Sequence, residues 1–246
     1  MSAPDLAPPP PAWDYAARIA EVTARVRTAE IVSGRQGAGV RLLVATKNWN
    51  ADAAVAAASA GSGLVGESRM QELEAKGAAL AAAGAEVHVI GQLQRNKAAV
   101  AARWARCVQT IDSLALAERL SRLALEAERE LDVMIQVNVS GEESKAGVVP
   151  REALALASRV QALSGLTVTG WMTIGLNSRD EGAVRAGYRR LRELRDQALI
   201  DSERGAFDLR EAWELSMGMS NDLEWAIAEG ASMVRVGTAV MGARPS

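Results

Sequence analysis

Eight short apolar, β-branched runs punctuate this chain, and longer Ala/Leu/Glu/Arg-rich segments of helical period lie between them. The runs are Leu42–Thr46, Leu64–Gly66, Val87–Gly91, Cys107–Ile111, Val133–Val139, Thr167–Thr173, Trp213–Met217 and Met233–Val236. Strands separated by helices cannot be joined as hairpins, so the sheet is expected to be parallel. Continuous apolar runs suit a parallel sheet, because helices cover both of its faces. Eight such repeats in 246 residues predict an α/β fold, a single (β/α)8 TIM barrel. A doubly wound open sheet is the alternative.

Ahead of the first run, Tyr15, Ile19, Val22 and Val26 recur at helical spacing. They predict an extra N-terminal helix from Trp13 to about Ile31, read as a lid over one barrel end. Five of the seven prolines fall in the first eleven residues, which predicts a disordered, unpacked tail over residues 1–12 and one domain over 13–246.

Composition narrows the classes of function. The net charge is −2 and no basic run is present, so the reading expects no nucleic-acid partner. The single cysteine, Cys107, cannot form an internal disulfide, no charged-then-apolar leader opens the chain, and no apolar stretch reaches membrane length. A cytoplasmic location and no membrane partner are expected. His88 is the only histidine and cannot build a multi-histidine metal site, so no metal is expected. Gly61-Ser62-Gly63-Leu64-Val65-Gly66 matches G-x-G-x-x-G, but the strand lies inside the motif, where a dinucleotide fingerprint needs the strand before it. It reads as a helix C-cap followed by a strand.

Of the 28 basic residues only Lys47, Lys76, Lys97 and Lys145 are lysines, so each needs a reason. Active sites of parallel barrels gather at the C-terminal ends of the strands. Lys47 directly follows the first run, where desolvation in a walled mouth would make its amine nucleophilic; a surface loop lysine is the bland alternative. Barrels frequently bind phosphate after strands 7 and 8. Ser216-Met217-Gly218-Met219-Ser220 and Gly237-Thr238 stand there, small enough for backbone amides to approach an anion, with Ser216 and Thr238 as hydroxyl donors. Ser220 also suits a helix N-cap. Arg235, on strand 8, is costly inside a barrel unless something accepts its hydrogen bonds, an acid on another strand being the alternative partner. Lysine, phosphate cradle and inward arginine together describe a site for pyridoxal phosphate (PLP).

The chain resembles the pyridoxal-phosphate homeostasis protein family, relatives of the alanine racemase N-terminal barrel. The resemblance runs from residue 44 to 242 and rests on Val44-Ala45-Thr46-Lys47, Gly66 to Glu72, His88 to Lys97, Gln136 to Gly147, Gly170 to Gly175, and Leu215 to Gly242. It implies a barrel like that of fold type III PLP proteins and a PLP cofactor held as a Schiff base on Lys47. By the same resemblance Arg235 faces the pyridine nitrogen, Ser216, Gly237 and Thr238 hold the phosphate, and Ser68, Met172, Met217 and Gly218 complete the cofactor-binding set. Ser68 stands where the family usually has asparagine, Gln92 where many members have histidine, and Val87 where an aromatic is common.

The implied role is a carrier or regulator in intracellular PLP homeostasis, with PLP-dependent apoenzymes as partners, working as a monomer or weak dimer. An amino-acid racemase or other weak PLP-dependent enzyme is the alternative. A two-base racemase needs a second proton donor, which racemase relatives take from a second domain. Here the chain ends soon after Arg235, and Tyr15 and Tyr188 lie away from the strand ends. A carrier without robust catalysis is expected.

Overall fold

A computed structural model of the chain describes residues 6–9, 13–142 and 145–243. Eight parallel strands close into one barrel in chain order: β1 (Arg41–Ala45), β2 (Leu64–Glu67), β3 (Glu86–Val89), β4 (Cys107–Ile111), β5 (Leu131–Gln136), β6 (Leu166–Met172), β7 (Glu214–Ser216) and β8 (Met233–Val236). Closure comes from β1, which pairs with β2 through Val44 and Val65 and with β8 through Leu43 and Arg235. That pairing excludes the open sheet. Each predicted run holds one strand, with ends displaced by three residues at most.

Alternation along the strands divides the apolar residues into two cores. Leu43, Leu64, Cys107, Met134, Met172 and Met233 form a cluster inside the barrel. Their neighbours, among them Val44, Val65, Val133 and Val234, pack outward against the helices. Those helices are α2 (Ala51–Ala57), α3 (Met70–Ala82), α4 (Ala98–Trp104), α5 (Leu114–Glu126), α6 (Pro150–Gln161), α7 (Glu181–Glu203) and α8 (Leu223–Ala228). Local signals set their starts. Pro150 occupies the first position of α6, where a missing N–H is harmless, and Asp180 Oδ1 caps α7 by accepting from Ala183 N at 3.1 Å. After α2, Gly61 and Gly63 adopt φ of 124° and 60° and lead straight into β2. The glycine motif is thus a helix end.

The N-terminal helix α1 (Tyr15–Val32) is not a lid. It packs beside the barrel against α8, α2 and the short α9 (Thr238–Met241), burying Ile19, Val22 and Val26. Trp13 Nε1 donates to Val240 O at 2.9 Å, and Arg35 Nη1 donates to Ile227 O at 2.7 Å. The four residues of α9 are too few to cover the seam between β8 and β1, so α1 takes the vacant place in the helical ring. The unpacked tail expected over 1–12 falls mostly outside the described residues. Within it, Ala7 makes a parallel bridge to Trp49. Among the described residues no helix is long and apolar enough to cross a membrane.

Candidate functional site

Continuing the inward alternation of Leu43 and Ala45 past the end of β1 brings the chain to Lys47. Lys47 is exposed, so the desolvated amine expected of it is absent: the strand has ended and its side chain stands at the rim. The backbone around it is tightly held. Lys76 Nζ, on α3, donates to Thr46 O at 2.9 Å, and Asn48 N donates to Glu72 Oε2 at 2.6 Å. Glu67 Oε1 in turn accepts from Lys76 Nζ at 2.9 Å and from Thr46 Oγ1 at 2.6 Å. Asn48 adopts φ 71°, a left-handed turn that asparagine tolerates. The buried lysine of this chain is therefore Lys76, and its ion pairs clamp both peptide groups flanking Lys47. Burial pushes the Glu67 carboxyl up, against the pull of Lys76.

Arg235 is 5% exposed and lies inside the barrel. Its Nη1 donates to Ser216 Oγ at 2.8 Å and its Nη2 to Thr173 O at 2.7 Å. The acid partner from another strand that could have explained it is not there among the described residues. Burial pushes its pKa down to about 10, with Tyr188 and Asp222 opposing, and it remains a cation at neutral pH.

Two residues of the expected cofactor-binding set, Ser216 for the phosphate and Met217, are placed differently. Ser216 is fully buried, and its only hydrogen goes to Gln109 Oε1 at 2.6 Å, so it has no O–H left for a phosphate. Its place on β7 points it into the barrel at Arg235. Met217, one residue on, faces the opposite way and its side chain packs in the outer core. The remaining members lie at the mouth or beneath it. Met172 belongs to the inner cluster, Ser68 is half-buried just past β2, Gly237 is half-buried and Thr238 is exposed at the start of α9. Gly218 has φ 91° and its carbonyl accepts from Arg235 N at 3.0 Å. A side chain at Gly91 would run into the backbone of Ser68.

Tyr188 reaches closer to this end than its helix suggested. Its hydroxyl donates to Asp222 Oδ2 at 2.8 Å, and burial followed by the Asp222 charge holds it well above the usual phenol range. In the loop after β5, Lys145 Nζ donates to Gly175 O at 3.0 Å and pairs with Glu142 at 2.7 Å. That loop is therefore tied to the one after β6.

Sequence reasoning missed four interior polar groups. His88, Gln109 and Gln136 are 2%, 0% and 2% exposed, and Glu86 lies half-buried beneath them. Gln136 Oε1 is buried without a partner. Each occupies an inward position in its strand, and that is the signal that marks them, because a buried polar group needs a partner. Among the described residues no group of three His, Cys, Asp or Glu side chains could hold a metal ion. Burial raises the Cys107 thiol, which leaves it inert.

The donor set suits PLP: a free amine at the rim, a buried guanidinium facing neutral oxygens, an unpartnered amide oxygen and small residues after β7 and β8. Residues 20–245 match the family described as alanine racemase, N-terminal domain. A pyridoxal phosphate homeostasis protein of Pseudomonas aeruginosa is 42% identical over 93% of this chain and 95% of its own length. A solved structure of an unknown protein from Bifidobacterium adolescentis aligns with a TM-score of 0.86 at 38% identity, over 92% of this chain and 94% of that one. PipY of Synechococcus elongatus, solved with PLP bound, aligns with a TM-score of 0.78 at 31% identity, over 93% of this chain and all of that one.

Proposed function

This chain belongs to the pyridoxal phosphate homeostasis protein family, whose fold is the alanine racemase N-terminal barrel, and on that premise we propose that it binds PLP through Lys47 as a Schiff base and acts in cytoplasmic PLP homeostasis. The observation that carries the reading is Arg235, a buried cation held by Ser216 Oγ and Thr173 O, with no carboxylate against it among the described residues. Such a group has donors left for a neutral acceptor, which a pyridine nitrogen is.

When bound, PLP supplies an aldehyde that condenses with a lysine amine. Lys47 offers that amine, and Lys76, Glu67 and Glu72 hold its backbone. Gly218, Gly237 and Thr238 would hold the phosphate, while Ser68 lies at the mouth and Met172 is buried beneath it. Ser216 serves Arg235 instead of the phosphate. A guanidinium cannot give up its proton at neutral pH, so Arg235 donates a hydrogen bond without protonating the ring. An unprotonated ring is a poor electron sink, which suits a protein that keeps the cofactor and hands it to PLP-dependent apoenzymes. The same protein is expected to be a monomer or weak dimer.

The test is to add PLP, reduce with borohydride and map the added mass. The expected result is a visible absorption band that reduction abolishes, with the mass on Lys47, and neither in Lys47→Ala. Mass on Lys76, Lys97 or Lys145 overturns the assignment. Racemisation of alanine at ordinary enzymatic rates would overturn the carrier reading and favour the weak-enzyme one.

A further inference from the structure

A line of hydrogen bonds crosses the barrel interior from the cofactor end to the opposite end. Arg235 Nη1 donates to Ser216 Oγ at 2.8 Å, and Ser216 Oγ donates to Gln109 Oε1 at 2.6 Å. Gln109 Nε2 meets His88 Nδ1 at 2.7 Å, and His88 Nε2 meets Glu86 Oε1 at 2.8 Å. Arg41 Nη2 donates to the same Glu86 oxygen at 2.8 Å. The links come from β8, β7, β4, β3 and β1, so only the closed barrel brings them together.

With a neutral His88 ring, the two ends determine the direction of every link. Arg235 can only donate, and an ionised Glu86, held so by His88 and Arg41, can only accept. A neutral His88 must then carry its hydrogen on Nε2 and offer Nδ1 as acceptor. Gln109 must turn its NH2 to that nitrogen and its oxygen to Ser216. Ser216 spends its hydrogen on Gln109 and leaves a lone pair for Arg235. Ser216, Gln109 and His88 are 0%, 0% and 2% exposed, so water does not substitute for a lost partner. Losing Gln109 frees the Ser216 hydrogen to turn toward a cation, and losing His88 leaves the Gln109 amide only Met233 Sδ, at 3.2 Å, to hold its orientation.

We propose that Gln109 and His88 are positioning residues for the cofactor site. Acting through Ser216, they hold the Arg235 guanidinium in the orientation from which it donates to the pyridine nitrogen. This rests on the reading that Arg235 faces that nitrogen.

The experiment has two arms. In the first, nitrogen NMR of the wild-type protein without cofactor reads the tautomer of the only histidine in the chain. The chain of bonds requires hydrogen on Nε2 and none on Nδ1; a ring that carries hydrogen on Nδ1, whether neutral or cationic, overturns the proposal. In the second, Gln109→Met, His88→Leu and their double variant are loaded with PLP. Each single variant is expected to keep its adduct on Lys47, to bind PLP roughly tenfold more weakly, and to show an altered visible spectrum. The double variant is expected to be no weaker than the poorer single one, because both cut one line. Wild-type affinity and spectrum in Gln109→Met, or losses that multiply in the double variant, overturn the proposal. A wild-type protein that forms no adduct on Lys47 defeats the PLP reading instead, and the tautomer still decides the direction of the line. If the variants fail to fold, the tautomer alone decides between the two outcomes.

Discussion

Glu86 shows what a single residue of the interior line does to stability. The hydrogen bond from His88, and after it that from Arg41, holds its carboxyl at about 2 instead of 4.5. A carboxylate whose folded pKa is depressed adds stability that is fully present above its unfolded pKa and is lost as pH falls through the folded value. Glu86 therefore stabilises the protein fully above about 4.5 and loses that contribution between about 4.5 and 2. Its side chain is 37% exposed, so solvent screening reduces the size of the effect. Glu86→Gln is expected to melt below the wild type at pH 6, with the gap narrowing as pH drops toward 2. Thermal melts across that range are the measurement. A gap that stays constant would mean that the hydrogen bonds to Glu86 do not depend on its charge.

At the scale of elements, helix α3 does more than cover the outside of β2. It carries Glu72 and Lys76 one turn apart on the face toward the barrel, and these meet Glu67 from β2 and the peptide groups on either side of Lys47. A buried ion pair gains little over an apolar replacement, but removing one partner alone strands a charge, at about 3–5 kcal/mol. Lys76→Met is expected to lose about that much in urea unfolding, and to load PLP more slowly because the Lys47 turn loses its anchor. A loss under about 1 kcal/mol would show that Glu67 escapes by taking up a proton. A comparable cluster on α7 holds buried Glu229 with Arg185, Arg189 and Arg192, so part of the arginine excess is spent fastening α7 to the end of α8.

The whole molecule closes by placing β8 beside β1, which brings Lys47 and Arg235 to one end despite their separation along the chain. Cofactor binding to such a folded barrel, and not to the unfolded chain, must raise its stability by mass action. At about one hundred times its Kd, PLP is expected to add about 2.7 kcal/mol. For a chain of this size that is a rise in Tm of about 5–10 °C. Lys47→Ala should lose most of the shift. An equal shift in both proteins would place the bound PLP elsewhere.

Hydrophobic runs and their spacing determined the barrel class and the strands, because a parallel sheet covered on both faces leaves a pattern readable residue by residue. The positions of Lys47 and Arg235 were legible for the same reason, one just past a strand and one charged within a strand. Tertiary structure alone decided which polar groups meet. Periodicity tells which way a side chain faces, and it does not tell what stands across the barrel or behind the strand. Ser216 has the type and position of a phosphate donor, and only closure of the barrel puts Gln109 and Arg235 against it. Burial belongs to Lys76 and not to Lys47, because the pairing of β1 with β2 carries α3 behind the Lys47 turn. The N-terminal helix has the apolar stripe of any covering helix, and only the shortness of α9 after β8 assigns it a place in the ring instead of over the mouth.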